Sequence, residues 1–147
     1  MGLLSALEIS GSALDAQRLR IETLSTNLAN ASVTRTPQGG PYQRKEVVFE
    51  ALPATTFAAT IEDALANADE QQLPRVSARV VDDTSPFVSR YEPGHPDADA
   101  MGYVQYPNVN PVEEMVNIVE SARSFEASTA AMNAVKEMIQ RSIELGR

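Results

Sequence analysis

The single histidine of this sequence, His95, is the residue best suited to acid–base or metal chemistry, because the chain contains no cysteine. It stands between Gly94 and Pro96, a setting typical of a turn, and no acidic or serine residue lies at a spacing typical of a catalytic pair. One imidazole per chain excludes a two-histidine zinc site and any catalytic system that needs two imidazoles within one chain. We therefore expect neither a catalytic nor a metal-binding role for His95.

Two further motifs come close to known ligand-binding loops, but their spacing fails. Asp97, Asp99 and Gly102 resemble the start of an EF-hand calcium loop, yet Asn108 stands where that loop requires a bidentate glutamate. The glycine pair at positions 39–40 precedes neither a helix nor the Gly-Lys-Ser/Thr sequence of a phosphate-binding loop. The sequence therefore predicts no metal and no cofactor.

Charged residues also occur in small groups that lack the composition of an active site. We expect the adjacent acids to be solvated, with Glu113 also capping a helix; the pairs are Glu62 and Asp63, Asp82 and Asp83, and Glu113 and Glu114. A mild basic concentration would either face the acidic middle of a neighbouring subunit or form an exposed helix face; it comprises Arg18, Arg20, Arg44 and Lys45. We predict no catalytic residue and a protein that is not an enzyme.

The balance of acidic and basic residues limits the kinds of molecule that the protein is expected to bind. The 147 residues include 12 basic and 20 acidic side chains, a net charge of −8, which argues against nucleic acid because phosphate binding needs a clustered basic face. No segment approaches the ~20 consecutive apolar residues of a membrane-spanning helix, so we expect no direct membrane span. The N-terminal stretch lacks a basic residue before its apolar part and carries Glu8 early, so we expect no cleaved secretory signal.

The N-terminal segment, residues 1–31, predicts a long helix with a narrow apolar stripe. Its large apolar residues recur mainly at intervals of seven, which aligns them along one side of a helix, and they include Leu7, Leu14, Ile21, Leu24 and Leu28. The intervening positions Ser10 and Gln17 bury poorly, and Gly11 weakens the first turns by roughly 1 kcal/mol relative to alanine. Such a stripe suits a helix–helix seam better than a globular core.

The C-terminal segment, residues 109–147, predicts a second and longer helix. Asn110 is placed as the N-cap, Pro111 follows at the first helical position, and Gly146 is placed as the C-cap. Apolar residues alternate by threes and fours between them, including Met115, Ile118, Phe125, Met132, Ile139 and Ile143. A helix of this extent would be about 50 Å long, which is too long for a compact small domain with nothing else to cover it.

Two arrangements of the terminal helices remain open on the sequence alone. In one, the helices form a hairpin that covers its own seam. In the other, which we favour, they pair as a coiled coil whose outer faces pack on other chains, because a lone pair buries little area against its ordering cost.

The middle of the chain predicts a small β-rich domain inserted between the helices. Residues 32–53 hold a loop rich in proline and glycine followed by a strand at 42–49, and residues 75–108 hold strands at 75–81 and 86–91, a turn at 92–96 and extended chain at 101–106. Residues 54–74 form an acidic insert in which the part 54–72 could be a short helix or mobile chain. The predicted fold class is therefore α+β, with paired terminal helices and an inserted β-rich domain.

Several stretches resemble a known protein family. Residues 25–45, STNLANASVTRTPQGGPYQRK, are similar to the N-terminal signature of bacterial flagellar rod and hook proteins, and the part TPQGGPYQRK favours a subunit of the proximal rod within that group. Residues 91–104, YEPGHPDADAMGYV, and residues 106–117, YPNVNPVEEMVN, agree with it. The resemblance covers both ends and the 91–117 stretch and is weakest over residues 53–75.

The resemblance implies an axial structural subunit of the flagellar basal body. Such a subunit would be exported unfolded by the flagellar type III apparatus, would assemble in the periplasm with itself and other rod subunits above the inner-membrane MS ring and its rod adaptor, and would transmit motor torque. The apolar residues of the two helices would form the assembly seam. An inter-subunit loop would include Asn27, Asn30, Thr36, Pro37, Gly39, Gly40, Pro41 and Tyr42. The alternative is a soluble coiled-coil adaptor or chaperone of a secretion system, well folded on its own.

Overall fold

In chain order, the described residues form a long helix, two small two-stranded sheets and a second long helix. The computed structural model describes residues 3–52 and 75–145, so the predictions for residues 54–72 and for Gly146 lie outside the described residues. In chain order the elements are helix α1 (Leu3–Ala29), strands β1 (Lys45–Leu52), β2 (Arg75–Asp82), β3 (Val88–Tyr91) and β4 (Tyr103–Tyr106), and helix α2 (Pro111–Leu145). Strand β1 pairs with β2, and β3 pairs with β4. The predicted α+β class is confirmed.

The start of α2 follows the capping chemistry expected from the sequence. The Oδ1 atom of Asn110 accepts a hydrogen bond of 3.1 Å from the backbone N–H of Val112, and the N–H of Glu114 donates to the Asn110 carbonyl at 3.0 Å. The Asn110 side chain therefore satisfies one of the N–H groups that a helix start leaves without an intrahelical partner, and its carbonyl accepts the first bond of the helix itself. Pro111 occupies the first helical position, where its missing N–H is not needed.

Strand β1 begins later than the sequence predicted, at Lys45 instead of Tyr42. The backbone groups just before it are engaged elsewhere: the N–H of Tyr42 donates to the Val33 carbonyl at 3.0 Å, and the N–H of Arg44 donates to the Asn108 side chain at 3.1 Å. The segment before β1 is thereby tied to a loop and to a side chain. These bonds keep the N–H groups of Tyr42 and Arg44 out of the hydrogen-bond ladder between β1 and β2.

The β3–β4 pair is an antiparallel hairpin in which Val88 stands opposite Tyr106 and Tyr91 opposite Tyr103. Its connection depends on Gly102, which has a φ of +83°; a Cβ there would lie 2.9 Å from Cε2 of Tyr91. Both the backbone conformation and the close approach of the Tyr91 ring require glycine at this position. The hairpin places Val104 in the interior with 1% of its surface exposed.

The described residues form two compact units. The first comprises residues 3–18, 49–52, 75–78 and 124–145, and the second residues 19–48 and 79–123. In the first unit Ala16 is buried, and Gln17 Nε2 donates to Ser124 Oγ at 3.2 Å. In the second unit Leu24, Val104 and Pro107 are buried together with four polar side chains, Thr23, Asn27, Glu114 and Ser121. The buried interior of the second unit is thus unusually polar for its size.

Candidate functional site

The second unit contains a connected group of polar side chains, two of them buried and four half-buried, here called the polar junction. It joins the end of α1, the segment leading into β1, the end of β2 and the start of α2. Its members are Asn27, Tyr42, Arg44, Asp83, Asn108 and Glu114.

Asn27 is the centre of the polar junction and is completely buried. Its Oδ1 accepts hydrogen bonds from the Tyr42 hydroxyl and from the backbone N–H of Lys45, each at 2.9 Å. Its Nδ2 donates to the Lys45 carbonyl at 2.8 Å and to Glu114 Oε2 at 3.3 Å. Two donors and two acceptor positions are all that an asparagine amide offers, so every one of them is used.

Glu114 brings a charge into the same interior. Only 1% of its surface is exposed, and its Oε1 accepts a hydrogen bond of 2.7 Å from Nε of Arg44. Arg44 also contacts Asp83, with 3.3 Å between its NH1 nitrogen and Asp83 Oδ2. Because a buried carboxylate without a partner would be very unfavourable, the guanidinium is what allows Glu114 to lie here.

The pKa shifts of the polar junction follow from this arrangement. Burial would lower the pKa of Arg44, but hydrogen bonds and charges from Glu114 and Asp83 outweigh it, and the pKa is raised above its ordinary value. Burial, and then the charges of Asp82 and Glu114, raise the pKa of the Tyr42 hydroxyl. Tyr42 therefore remains the protonated donor that Asn27 requires, and Arg44 remains a cation.

Backbone bonds reinforce these side-chain contacts. The carbonyl of Arg44 accepts a hydrogen bond of 2.8 Å from the N–H of Asp83, and Gln43 Nε2 donates to the Asp83 carbonyl at 2.7 Å. Two buried polar atoms of this unit, Nδ2 of Asn108 and Oγ of Ser121, have no hydrogen-bond partner. The bonds of the polar junction hold together chain segments that are far apart in sequence.

The polar junction has the chemistry of a structural contact. Its carboxylates are engaged by Arg44 and by amide groups, so neither is a free general base. In the described parts of the chain, no group of three or more histidine, aspartate or glutamate side chains could hold a metal ion. This arrangement can fix how the end of α1, the segment before β1, the end of β2 and the start of α2 pack against one another.

The loop after α1 is exposed at its tip. The N–H of Thr36 donates to the Gly40 carbonyl at 2.8 Å, and Gly39 and Gly40 adopt φ values of +90° and +75°. The base of the loop is held by Thr34, whose hydroxyl donates to Oδ2 of Asp97 at 2.7 Å. The tip therefore presents its residues to the surroundings; those exposed there are Pro37, Gln38, Gly39 and Gly40, while Thr36, Pro41 and Tyr42 are partly buried.

Asn27 needs a correction, because the sequence analysis assigned it to an inter-subunit loop. It lies inside α1, and its amide is saturated within its own chain, which leaves it no group to offer another subunit. Asn30 follows the end of α1, and its Nδ2 donates to the Thr26 carbonyl at 2.8 Å. Tyr42 belongs to the loop but points its hydroxyl at Asn27.

The predicted seam residues differ in their exposure. Leu24 is buried, whereas Met115 and Ile143 are 54% and 64% exposed. The remaining predicted seam residues are half-buried; they are Leu7, Leu14, Ile21, Leu28, Ile118, Phe125, Met132 and Ile139. Glu114, not Met115, stands four residues before Ile118 and seven before Ser121, which puts the glutamate on the inner face of the helix.

Apolar side chains on the opposite side of the same turns are uncovered. We call them the outer stripe: Val112, Met115, Val116 and Val119, each 53% exposed or more. Spacings of three, four and seven residues place them along one face of α2. The outer stripe lies beside the exposed carboxylates of Glu113 and Glu120.

The sequence analysis missed the main charged members of the polar junction. Glu114 and Asp83 were expected to be solvated, and that was wrong, because Arg44 pairs with both inside the chain. Arg44 was assigned to a neighbouring subunit or to an exposed helix face, which the same contacts correct. The signal that was available is the phase of Glu114, since a charge in line with Ile118, Ser121 and Phe125 calls for a buried partner.

His95 takes part in the turn before β4. Its Nδ1 accepts a hydrogen bond of 3.1 Å from the N–H of Asp97, and its ring lies edge-on to Tyr106 at 6.3 Å between centroids. Tyr106 in turn donates to Glu92 at 2.9 Å, and this bond is the largest cause of the raised pKa of the Tyr106 hydroxyl. The histidine thus has a role in ordering the turn that carries Asp97.

No helix in the described ranges is long and apolar enough to cross a membrane. The charged and small polar residues spread along α1 and α2 account for that result.

Two family models match the ends of the chain. The model described as flagella basal body rod protein matches residues 7–35, and the model described as flagellar basal body rod FlgEFG protein C-terminal matches residues 100–145. The first covers most of α1 and the loop after it, and the second covers β4 and α2.

Three relatives align with the sequence over nearly its whole length, and each is named flagellar basal-body rod protein FlgC. The protein from Escherichia coli O6:H1 is 42% identical, and the alignment covers all of both chains. That of Borreliella burgdorferi is 40% identical over 99% of this chain and 98% of its own. That of Bacillus subtilis is 39% identical over 97% of each.

Proposed function

The chain belongs to the family of the flagellar basal-body rod protein FlgC, and on that premise we propose that it builds the proximal rod by packing its terminal helices against those of neighbouring subunits. It is a structural subunit of the flagellar basal-body rod and assembles with other rod subunits; it is not an enzyme. In this proposal the packed helices transmit motor torque towards the hook.

The outer stripe is the observation that carries the proposal. In the described residues, the buried apolar side chains are Ala16, Leu24, Val104 and Pro107, whereas the four apolar residues of the outer stripe are all exposed. Contiguous exposed apolar surface on a helix is typical of a protein–protein contact. A helix of 35 residues with this face uncovered is suited to packing on another chain.

We propose further that α1 and α2 pair as a coiled coil along the half-buried residues of the predicted seam. The partial burial of Leu14, Ile21 and Phe125 in a single chain supports this, because such residues become fully buried when further helices pack on them. Met115 and Ile143, which are exposed in the single chain, would then contact neighbouring subunits.

The exposed loop tip at residues 36–41 is proposed as an inter-subunit contact. Bonds from Thr36 to the carbonyls of Gly39 and Gly40 hold the turn, and its exposed residues 37–40 are thereby presented to a neighbour in one conformation. We propose that the two axial ends of the subunit are residues 1–31 and 109–147. The intervening segments are residues 32–53, 54–74 and 75–108.

The site of assembly and the route to it are also proposals. We infer from the family that the subunit passes through the flagellar type III export apparatus, assembles in the periplasmic part of the basal body, and contacts the MS ring through the rod adaptor. The acidic net charge and the narrow seams of the helices agree with a chain that folds where its partners are available.

A substitution in the outer stripe tests the proposed packing. Val116→Asp introduces a charge at a position that is 61% exposed, so the single chain should fold normally. We expect it to be secreted at wild-type level, to give basal bodies without a complete rod, and to abolish motility. The matched control, Val116→Ala, keeps the face apolar and should leave most motility intact.

The outcome also separates the two classes of function. A motile Val116→Asp strain with complete rods would contradict packing through the outer stripe. A secretion adaptor or chaperone would remain in the cell body and be absent from purified basal bodies, so quantifying the chain in those particles distinguishes it from a rod subunit.

A further inference from the structure

We propose that the Arg44–Glu114 pair, held in place by Asn27, is a specificity determinant for assembly: it selects one docking of α2 against the segment that leads into β1. The proposal rests on the proposed function, since it concerns how the subunit is shaped before it meets its neighbours. It goes beyond that function because it assigns a role to residues that no outward contact involves.

The stability of the folded chain does not by itself explain why Arg44 and Glu114 are a pair of charged residues. Glu114 is almost wholly buried, and the Arg44 side chain is only 22% exposed, so both charges lose hydration when the chain folds. The attraction between buried charges often does no better than offset that loss, and apolar residues of similar size are frequently as stable or more so. A sequence under pressure for stability only could fill this space with methionine or leucine.

What the Arg44–Glu114 pair supplies is a contact whose hydrogen bonds form in only one direction. Glu114 uses Oε1 for Arg44 and Oε2 for Asn27, and Asn27 is saturated by four bonds. Moving α2 by one residue would turn the glutamate by about 100° towards the exposed sides of the helix, and would leave Arg44 without its closest partner and the Asn27 amide without one of its four bonds. Alternative dockings are therefore penalised, whereas apolar side chains would accept several of them.

A rod subunit has a reason to need one docking. A helical assembly repeats each contact from subunit to subunit, so an error in the arrangement within one subunit is carried into every contact it makes. The outer stripe begins on the same turns of α2 that carry Glu114, so the docking of these turns sets the direction in which the outer stripe points.

The test replaces both charges at once. Arg44→Met with Glu114→Met should melt no lower than the wild type, while each single substitution melts lower because it leaves one buried charge without its partner. We expect the double variant to show doubled or broadened amide resonances near residues 27–45 and 114, and to give at least tenfold fewer complete rods. Arg75→Met, which removes an exposed arginine side chain outside the polar junction and outside the loop after α1, is the control and should match the wild type in all three measurements.

A second variant covers the case in which the double variant does not fold. Arg44→Lys keeps a cation opposite Glu114, and it should give at least tenfold more complete rods than Arg44→Met in the same strain. Equal losses in the two would show that the pair does not act through its charge, and the proposal would be overturned.

Two other results would also overturn it. One is a double variant with a single set of resonances and wild-type rods; the other is a double variant that melts as low as the single ones, which would make the pair a simple stabiliser. Either result leaves the proposed function untouched, since only the Val116→Asp strain tests the packing between subunits.

Discussion

The first turns of α2 carry two faces that are built in opposite ways. On the inner face Glu114 and Ser121 are buried, and the glutamate meets Arg44 and Asn27 within its own chain. On the outer stripe Val112 and Val116 are exposed although both are apolar. A domain that only needed to be stable on its own would show the reverse distribution, with apolar residues inside and charges outside.

This reversal shows how a single helix can form one contact within its own chain and leave another face for a neighbouring subunit. The Glu114 carboxylate on the inner face is satisfied only in one geometry, so it defines the arrangement of the chain around it. Apolar groups on the outer stripe are non-directional, so they supply free energy to whichever surface covers them. The packing of the helix within its own subunit is therefore determined by polar contacts, and the surface that remains for association with other subunits is apolar.

The largest expected effect comes from breaking the inner face. Glu114→Ala leaves the Arg44 guanidinium in the interior without its closest partner, which should lower the free energy of unfolding by about 3–5 kcal/mol. Denaturant unfolding of the full chain, followed by circular dichroism, measures the change.

The neighbouring residue provides the control for that experiment. Glu113→Ala removes the same charge from the same turn, but Glu113 is exposed, so only its favourable position at the helix start is lost, about 0.3–1 kcal/mol. Equal losses in the two variants would contradict the distinction between the inner face and the exposed side of the helix.

Local rules account for the elements that were predicted correctly. The bounds of α2 at Pro111 and Leu145 follow from an N-cap, a proline at the first helical position and an uninterrupted apolar period. Strand β2 was predicted from its alternation and begins at Arg75 as expected. These signals lie within a few residues of one another, and a sequence displays them directly.

The polar junction could not be predicted in the same way, because its bonds join residues that are distant along the chain. Glu114 is 70 positions from Arg44 and 87 from Asn27, and its residue type alone does not distinguish it from its exposed neighbour Glu113. The start of β1 was misplaced for the same reason, since the Arg44 N–H is taken by the distant Asn108. Helical phase could have marked Glu114 as inward-facing, but not which cation it meets.

A smaller effect on the free energy of unfolding is expected from a change of pH, through Asp83 at the edge of the polar junction. Hydrogen bonds from the side chain and backbone of Ser85, with a further contribution from Arg44, hold the pKa of the Asp83 carboxyl below its ordinary value. Because the folded pKa is lower than the unfolded one, the stabilisation is fully present above about pH 4 and is lost as pH falls through the folded pKa.

Asp83→Asn tests this dependence. We expect the variant to be less stable than the wild type by about 0.5–1 kcal/mol between pH 5 and 7, and the difference to shrink below pH 4. Unfolding curves at matched ionic strength measure it. A difference that stays constant down to pH 2 would show that the Asp83 charge contributes nothing.

The smallest effect is expected on the outer stripe, and it completes the comparison of the two faces. Val119 is 53% exposed, so Val119→Ala should change the stability of the full chain by less than about 0.5 kcal/mol. The same substitution at Val104, which is buried, should cost about 2 kcal/mol, because two methyl groups leave the interior. If the two variants lose the same stability, the outer stripe is already covered within the chain and is not available to a neighbour. If Val119→Ala is neutral in solution yet lowers the yield of complete rods, the free energy of that face is realised only on assembly.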